Sequence, residues 1–250
     1  MKSDIFFGKK VIRNFFTKTE VHEIQKEVDA ILSEEDRVGY IWKFSDINTS
    51  KVNRIEYFIN HNTFFRRLSV SKKIIDEIRK IIHEEPVIFK DKINIKHKNM
   101  CNFAPHQDIC AGWDKYCDYQ VTIAIPLCDT GSDNGGICYG NKTNIKITPA
   151  FNDLPDDFPL GDPVETSVGD VIFFDSYVPH ASYDNKTNNP RTILFFTYNK
   201  KSDGNHYELY HEDKFKSVPP DISKVPGKQY RSGNSNYKKN IFTKETIWKQ

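Results

Sequence analysis

The stretch FAPHQDICAGW, residues 103–113, sets His106 and Asp108 two apart, just before a segment of alternating apolar residues. An imidazole and a carboxylate that face the same way can share a divalent metal ion. The bare pattern is common. With 8 histidines and 34 acidic residues, about one H-x-[DE] pair arises by chance in such a chain. Here there are four: His83/Glu85, His106/Asp108, His206/Glu208 and His211/Asp213. His83 and Glu85 fall at the end of a helical pattern, where i and i+2 point apart. His206 and His211 fall in a polar stretch with no strand pattern to fix them. His106 has better company. His180 ends the apolar run VIFFDSYVPH, and Arg191 opens the next one, RTILFFTYN. Two neighbouring antiparallel strands would turn His180 and Arg191 toward one interior. Two neutral imidazoles and one carboxylate on one face of a metal leave three positions open, an arrangement suited to Fe(II) in oxygenases. An arginine nearby holds a distal carboxylate with its planar fork. The competing reading is a strand-end histidine capped by backbone and an arginine on the surface. Spacing alone leaves the two readings level.

These residues need a frame. Residues 17–35 predict an amphipathic helix, with Thr17 and Glu20 as a capping box and Val21, Ile24, Val28, Ile31 and Leu32 at helical spacing. Residues 71–85 repeat the design with Ile74, Ile75, Ile78, Ile81 and Ile82, and Pro86 closes it. A less regular piece between them holds Trp42, Arg54, Tyr57 and Phe58. After Pro86 the period becomes two. VIFKDKINIKH, DYQVTIAIPL, VIFFDSYV and RTILFFTYN read as strands, separated by turns rich in Gly, Pro and Asn. Helices first and then many short strands predict a mainly β fold with flanking α-helices, a sandwich or barrel. The expected organisation is one domain over residues 1–250. It has a mainly helical flank at 1–86, a β core at 87–200 and an irregular C-terminal wrap at 201–250.

The bulk numbers fit a soluble globular chain, with 38% hydrophobic and 28% charged residues. A net charge of +2, from 36 basic and 34 acidic residues spread along the chain, gives no reason to expect a nucleic-acid partner. No run of about 18 apolar residues suggests a membrane span, and the start of the chain lacks a signal-peptide pattern. The expected compartment is the cytoplasm. Five cysteines without a C-x-x-C pair read as small apolar side chains in a reducing environment.

Several motifs in order carry a resemblance: FKDKINIKHKN…FAPHQD…W, then NGGICYGN, then GDVIFFDSYVPHASYDNKT…RTILFFTYN. The sequence resembles the phytanoyl-CoA dioxygenase family of Fe(II)/2-oxoglutarate oxygenases over roughly residues 10–230. Its tail, YELYHEDKFKSVPPDISKVPGKQY, is similar to the small-molecule branch that includes phosphonate dioxygenases. The resemblance implies a double-stranded β-helix, a jelly roll of the cupin kind. It implies His106, Asp108 and His180 as iron ligands and Arg191 as the partner of the 2-oxoglutarate C5 carboxylate. It places Lys92, Asn94 and Gln120 along the cosubstrate site. It further implies O2 as co-reactant, with succinate and CO2 as products. One departure is the segment after Asn134-Gly135, which lacks the Pro-Gly-Ser-His stretch frequent in relatives. Residues 141–160 are therefore expected to suit a different substrate.

Related halogenases replace the carboxylate ligand with a small residue. Asp108 thus argues for hydroxylation, or for desaturation or ring closure, and against halogenation. Trp113, Asp114, Tyr116, Arg54 and Trp42 are the candidates to shape the substrate site. The absence of a long apolar or acyl-carrier-binding surface points to a small free molecule: an amino acid, amine, phosphonate or small carboxylate. Two rivals stand beside this reading. One is a non-catalytic jelly-roll module that binds a small ligand. The other is a zinc hydrolase on the same three residues, which lacks an obvious general base and leaves Arg191 without a role.

Overall fold

A computed structural model describes residues 7–34, 41–46, 49–98, 100, 103–148, 154–230 and 240–241. The chain opens with β1 (Lys9–Ile12) and α1 (Lys18–Ser33). The predicted capping box is present at Thr17 and Glu20, and Val21, Ile24, Val28 and Ile31 are buried. β2 (Trp42–Ser45) and β3 (Val52–Glu56) form a hairpin pair. α2 (Thr63–Ser69) follows, capped by the Asn62 side chain. α3 (Lys72–Ile82) buries Ile74, Ile78 and Ile82. It stops earlier than predicted because His83 turns left-handed at φ 56° as its C-cap.

The long strand β4 (Pro86–Lys96) leads to the short β5 (Phe103–His106), then β6 (Val121–Pro126), β7 (Ile137–Tyr139), β8 (Val171–Asp175), β9 (His180–Ser182) and β10 (Arg191–Lys200). Seven of these strands form one sheet in the order β1-β8-β6-β10-β4-β3-β2, and three form a smaller sheet, β5-β9-β7. The two sheets enclose an interior, as in a double-stranded β-helix.

Each face of the large sheet has its own core. Ile93, Ile95, Ile123, Ile125, Phe173 and Phe196 pack outward against α1 and α3. Ala124, Ile172, Phe174, Ile193 and Phe195 pack inward against Ile137 and Tyr139 of the small sheet. β6 sets Val121, Ile123 and Ile125 on its outward face and the smaller Thr122 and Ala124 on its inward face. This explains why the alternation in the sequence was visible although every residue of β6 is buried.

The flank at 1–86 carries α1, α2 and α3, and the strands β1, β2 and β3 within it supply three of the seven strands in the large sheet. These strands are only four or five residues long, too short for a periodic signal. The C-terminal wrap is not irregular throughout. It contains α4 (Tyr207–Ser217), which buries Tyr207, Tyr210 and His211. Aromatic and histidine side chains form its buried face, so no aliphatic stripe announced it. Cys110, Cys117 and Cys138 are buried free thiols and Cys128 is half-buried. Cys101 and the sequence beyond Ile241 lie outside the described residues.

Candidate metal and cosubstrate site

β5 and β9 pair antiparallel with His106 directly opposite His180, and their ring centroids lie 4.3 Å apart. After His106 the chain leaves the strand and enters a 3-10 turn at Asp108–Ala111. Ile109 N–H donates to Ser176 O at 2.9 Å and Cys110 N–H to Gln107 O at 3.0 Å, which fixes the turn. The Asp108 carboxylate therefore faces both imidazoles. His106 Nε2 lies 3.9 Å from Asp108 Oδ1, and His180 Nε2 lies 4.0 Å from Oδ2. The three ligand atoms lie within 4.8 Å of one another, the spacing of groups that can hold one metal ion.

Both rings are oriented by the same local device. His106 Nδ1 meets Ala104 O at 2.7 Å, and His180 Nδ1 meets Val178 O at 3.1 Å. A carbonyl partner fixes the proton on Nδ1 and leaves the Nε2 lone pair for a metal. Burial pushes the His106 imidazole down to about 4, helped by the neighbouring His180, and also lowers His180. Burial works the other way on Asp108, but His180, Lys92 and His106 outweigh it and hold the carboxyl below its usual range. The site therefore offers two neutral imidazoles and an ionised carboxylate at neutral pH. That donor set fits Fe(II).

Gln107, between the two ligands, points elsewhere and is almost fully buried. Its amide donates to Tyr177 O and Ile145 O, and its carbonyl accepts from Ile147 N–H at 2.7 Å. It thereby docks the segment after the Asn134-Gly135 turn against the metal motif. Gly135 itself has no substitute. Its φ is +79°, and a Cβ there would lie 2.6 Å from Tyr183 O.

A second polar group shares the interior. Arg191 is 2% exposed, and its Nε has no hydrogen-bond partner. Burial pushes its guanidinium down to about 10. Tyr139 pairs with His180 across β7 and β9, and its buried hydroxyl is likewise without a partner. Its hydroxyl is raised by burial first and then by Asp108, while Arg191 works in the opposite direction. Tyr139 is thus an electrostatic neighbour of both the metal triad and the arginine. Cross-strand partners share a face. Asn94 and Lys92 pair with Ile193 and Phe195 of the inner core, so both face the same interior. Asn94 Oδ1 also has no partner. Unpaired buried polar atoms cost roughly 1–3 kcal/mol each. Arg191, Tyr139 and Asn94 together fit a bound dicarboxylate.

The expectation for Gln120 is different from what the structure places there. Its amide donates to Cys117 O at 2.8 Å and Trp113 O at 3.4 Å, anchoring the turn that carries Trp113. Val121, next to it, pairs with Tyr198 at the opposite end of β10 from Arg191. Roughly 23 Å of strand separates those ends, too far for both residues to share one carboxylate.

Among the substrate candidates, Trp113 is buried against Phe89, with ring centroids 5.3 Å apart, and Lys90 Nζ lies 5.4 Å from its centroid. Arg54 stacks on Phe44 at 4.1 Å and reaches Glu56 at 3.4 Å. Tyr116 donates to Asp213 at 2.9 Å, and Asp114 pairs with Lys146 at 2.7 Å. Trp42 packs against Tyr57, His211 and Phe215, behind this group. Sequence reasoning missed Tyr139, Gln107, Glu56, Lys90 and Lys214. The alternation of β4 put Lys90 in phase with Lys92, the one signal that could have found it.

Among the described residues, the other H-x-[DE] pairs belong to no group of three side chains that could hold a metal. His206 and Glu208 flank the first turn of α4, while His211 and Asp213 sit two apart on it. His211 is 1% exposed, enclosed by Trp42, Tyr57, Tyr207 and Tyr210. It is a core residue and not a surface one. His211→Ala is therefore expected to cost about 2–4 kcal/mol of stability, as large-to-small core changes do. Fe(II) affinity should stay within about twofold, since His211 lies outside the triad. Chemical unfolding and a metal titration of the same variant check both statements.

Comparison with known proteins gives one direction. The model of the family "Phytanoyl-CoA dioxygenase (PhyH)" matches residues 7–193. A 2-aminoethylphosphonate dioxygenase from an uncultured bacterium is 27% identical over 238 residues, covering 90% of each chain. A methylphosphonate hydroxylase from Gimesia maris is 30% identical over 175 residues, covering 66% of this chain and 65% of that one. In fold, the chain is similar to EctD from S. alaskensis with 2-oxoglutarate and 5-hydroxyectoine, at TM-score 0.68 and 20% identity, over 78% of this chain and 73% of that one. Among the described residues, no helix is long and apolar enough to cross a membrane. With more than half its length matched and the donor set in place, the chain belongs to the phytanoyl-CoA dioxygenase family and is an Fe(II)/2-oxoglutarate-dependent oxygenase.

Proposed function

We propose that this enzyme, working as one domain, hydroxylates a C–H bond of a small polar molecule. The observation that carries the reading is the ionised Asp108 facing two neutral imidazoles whose Nδ1 atoms are tied to backbone. Iron bound there supplies the oxidising chemistry, in which O2 and 2-oxoglutarate become succinate, CO2 and a hydroxyl group on the substrate. Each protein group has a part of its own. His106, Asp108 and His180 would hold the metal. Arg191 binds the far carboxylate of 2-oxoglutarate, and Tyr139 donates its hydroxyl proton into the same bond network. Trp113, Phe89 and Tyr210 form a dry wall beside the site. An apolar wall of this kind would keep water from the reactive centre. The names of the relatives, a 2-aminoethylphosphonate dioxygenase and a methylphosphonate hydroxylase, make small phosphonates the first substrates to try.

The test has two stages. Anaerobic addition of Fe(II) and then 2-oxoglutarate should produce the weak visible charge-transfer band of the chelated complex. Oxygen and a candidate substrate should then yield a product heavier by one oxygen atom. Loss of two hydrogens without oxygen gain would move the enzyme to desaturation or ring closure.

A further inference from the structure

Beside the metal triad lies a group of charges that the reading above does not use. Glu56 is fully buried and gathers three cations. Arg54 Nε lies 3.4 Å from its Oε1, Lys90 Nζ lies 3.7 Å from the same oxygen, and Lys214 bonds its Oε2. A fourth cation, Lys92, is paired with Glu56 in the β3–β4 register and forms no ion pair among the described residues. Lys90, Lys92 and Lys214 thus stand about one carboxylate, with Arg54 beside them. Lys90 and Lys92 are also electrostatic neighbours of Asp108.

Asp108 does not relieve this excess in the loaded enzyme. The charges of Fe(II), 2-oxoglutarate, Asp108 and Arg191 cancel among themselves. Set against Glu56, Lys90, Lys92 and Lys214 then leave two positive charges among the described residues in a poorly hydrated space, and an unbalanced charge there costs several kcal/mol. Burial first, and then the charge of Lys90, push Lys92 down to about 8, while Glu56, Tyr210 and Asp108 raise Lys90 against its own burial. The cations are held in place by aromatic rings. Lys90 lies 5.4 Å from the Trp113 centroid and 5.5 Å from that of Tyr210, Lys92 4.6 Å from Phe195, and Arg54 4.1 Å from Phe44. They keep some contact with solvent, with side chains 9% exposed for Arg54, 10% for Lys90 and 13% for Lys214, against 0% for Glu56. A ligand can therefore reach the cations while their common carboxylate stays hidden.

We propose that Arg54, Lys90, Lys92 and Lys214, held about Glu56, form the subsite for a doubly charged tetrahedral oxyanion on the substrate, a phosphonate or phosphate headgroup. This rests on the oxygenase reading and extends it to a substrate class. A dianion offsets that excess charge, and its three oxygens accept from several donors at once. A carboxylate brings half the charge and fewer acceptors. Glu56 is a positioning residue that keeps like charges together. The aromatic wall of Trp113 and Tyr210 would then carry the rest of a short molecule toward the metal.

The experiment is calorimetric titration of the anaerobic Fe(II) and 2-oxoglutarate enzyme with methylphosphonate and, separately, with acetate, in phosphate-free buffer. Methylphosphonate should bind at least tenfold tighter than acetate. Lys90→Gln and Lys92→Gln should each weaken methylphosphonate at least tenfold and change acetate far less. Lys92→Gln removes no ion pair, so it stays folded if Lys90→Gln does not. The visible band, titrated with 2-oxoglutarate in Lys90→Gln, should form with cosubstrate affinity within about threefold of wild type, and the same titration of Lys92→Gln separates this subsite from the cosubstrate role expected for Lys92. If the band forms but methylphosphonate binds no better than acetate, or both variants bind it like wild type, the subsite is wrong and the oxygenase reading stands. If Lys92→Gln weakens 2-oxoglutarate instead of methylphosphonate, Lys92 belongs to the cosubstrate site and the four-cation subsite fails. If no band forms in wild type, the oxygenase reading fails, and methylphosphonate binding still decides the anion subsite by itself.

Discussion

Asp108→Ala is expected to abolish 2-oxoglutarate turnover and to weaken Fe(II) binding by more than roughly a hundredfold, since even outer partners of metal ligands are worth ten- to a hundredfold. His106→Ala and His180→Ala should behave alike, because three donors share one ion. Asp108 differs from the histidines in one respect. It is the only anion of the three, so its loss also removes the charge that balances the metal. Without that ligand, added chloride would meet the metal in place of the carboxylate. Chlorinated product should nevertheless remain slight, because removing one ligand does not re-aim the substrate. Metal titration and product mass analysis with chloride present test both parts. An Asp108→Ala enzyme that binds Fe(II) like wild type would place the metal elsewhere. Chlorinated product from the wild-type enzyme would remove the hydroxylase assignment.

The triad was legible in the sequence because its residues sit at places where the chain has a strong local pattern. His106 closes β5, His180 opens β9 after a turn, and Arg191 opens β10. Strand alternation also put Lys92 and Asn94 on a common polar face, and the pairing of β4 with β10 turned that face inward. What the pattern lacked was the pairing itself. Gln120 has the right phase on β6 but the wrong position along it, a difference set by register and invisible in one strand alone. Tyr139 was missed because β7 is three residues long, and its neighbours read only as a glycine turn. Glu56 and Lys214 lie 158 residues apart and meet only when α4 docks. Even α4 was hidden, since its buried face is Tyr207, Tyr210 and His211 and not an aliphatic stripe. Local chemistry on strands was therefore readable, and contacts that depend on tertiary docking were not.

Arg191→Lys is expected to raise the KM for 2-oxoglutarate about ten- to a hundredfold while kcat falls less. A lysine keeps the charge but loses the planar fork, and one lost charge-assisted hydrogen bond is worth about 1.5–3 kcal/mol. Arg191→Met goes further, since it leaves the far carboxylate buried without a cation. Breaking such a pair costs about 3–5 kcal/mol, or about two to four orders of magnitude in cosubstrate affinity. The same variant allows a check that does not depend on turnover. Arg191 is 2% exposed and forms no ion pair among the described residues, and burial pushes its guanidinium down to about 10. A group whose charged form is disfavoured by folding weakens the fold wherever it is charged in both states. Below pH 10 the arginine stays protonated, so its desolvation penalty is paid in full at neutral pH. Replacing it with methionine removes that penalty without breaking an ion pair. The melting temperature without 2-oxoglutarate should therefore hold or rise. The rise in melting temperature that wild type gains on adding 2-oxoglutarate should disappear in Arg191→Met. A structural arginine predicts the opposite, a lower melting temperature with the cosubstrate-dependent shift intact. That pair of melting curves would move the C5 carboxylate away from Arg191.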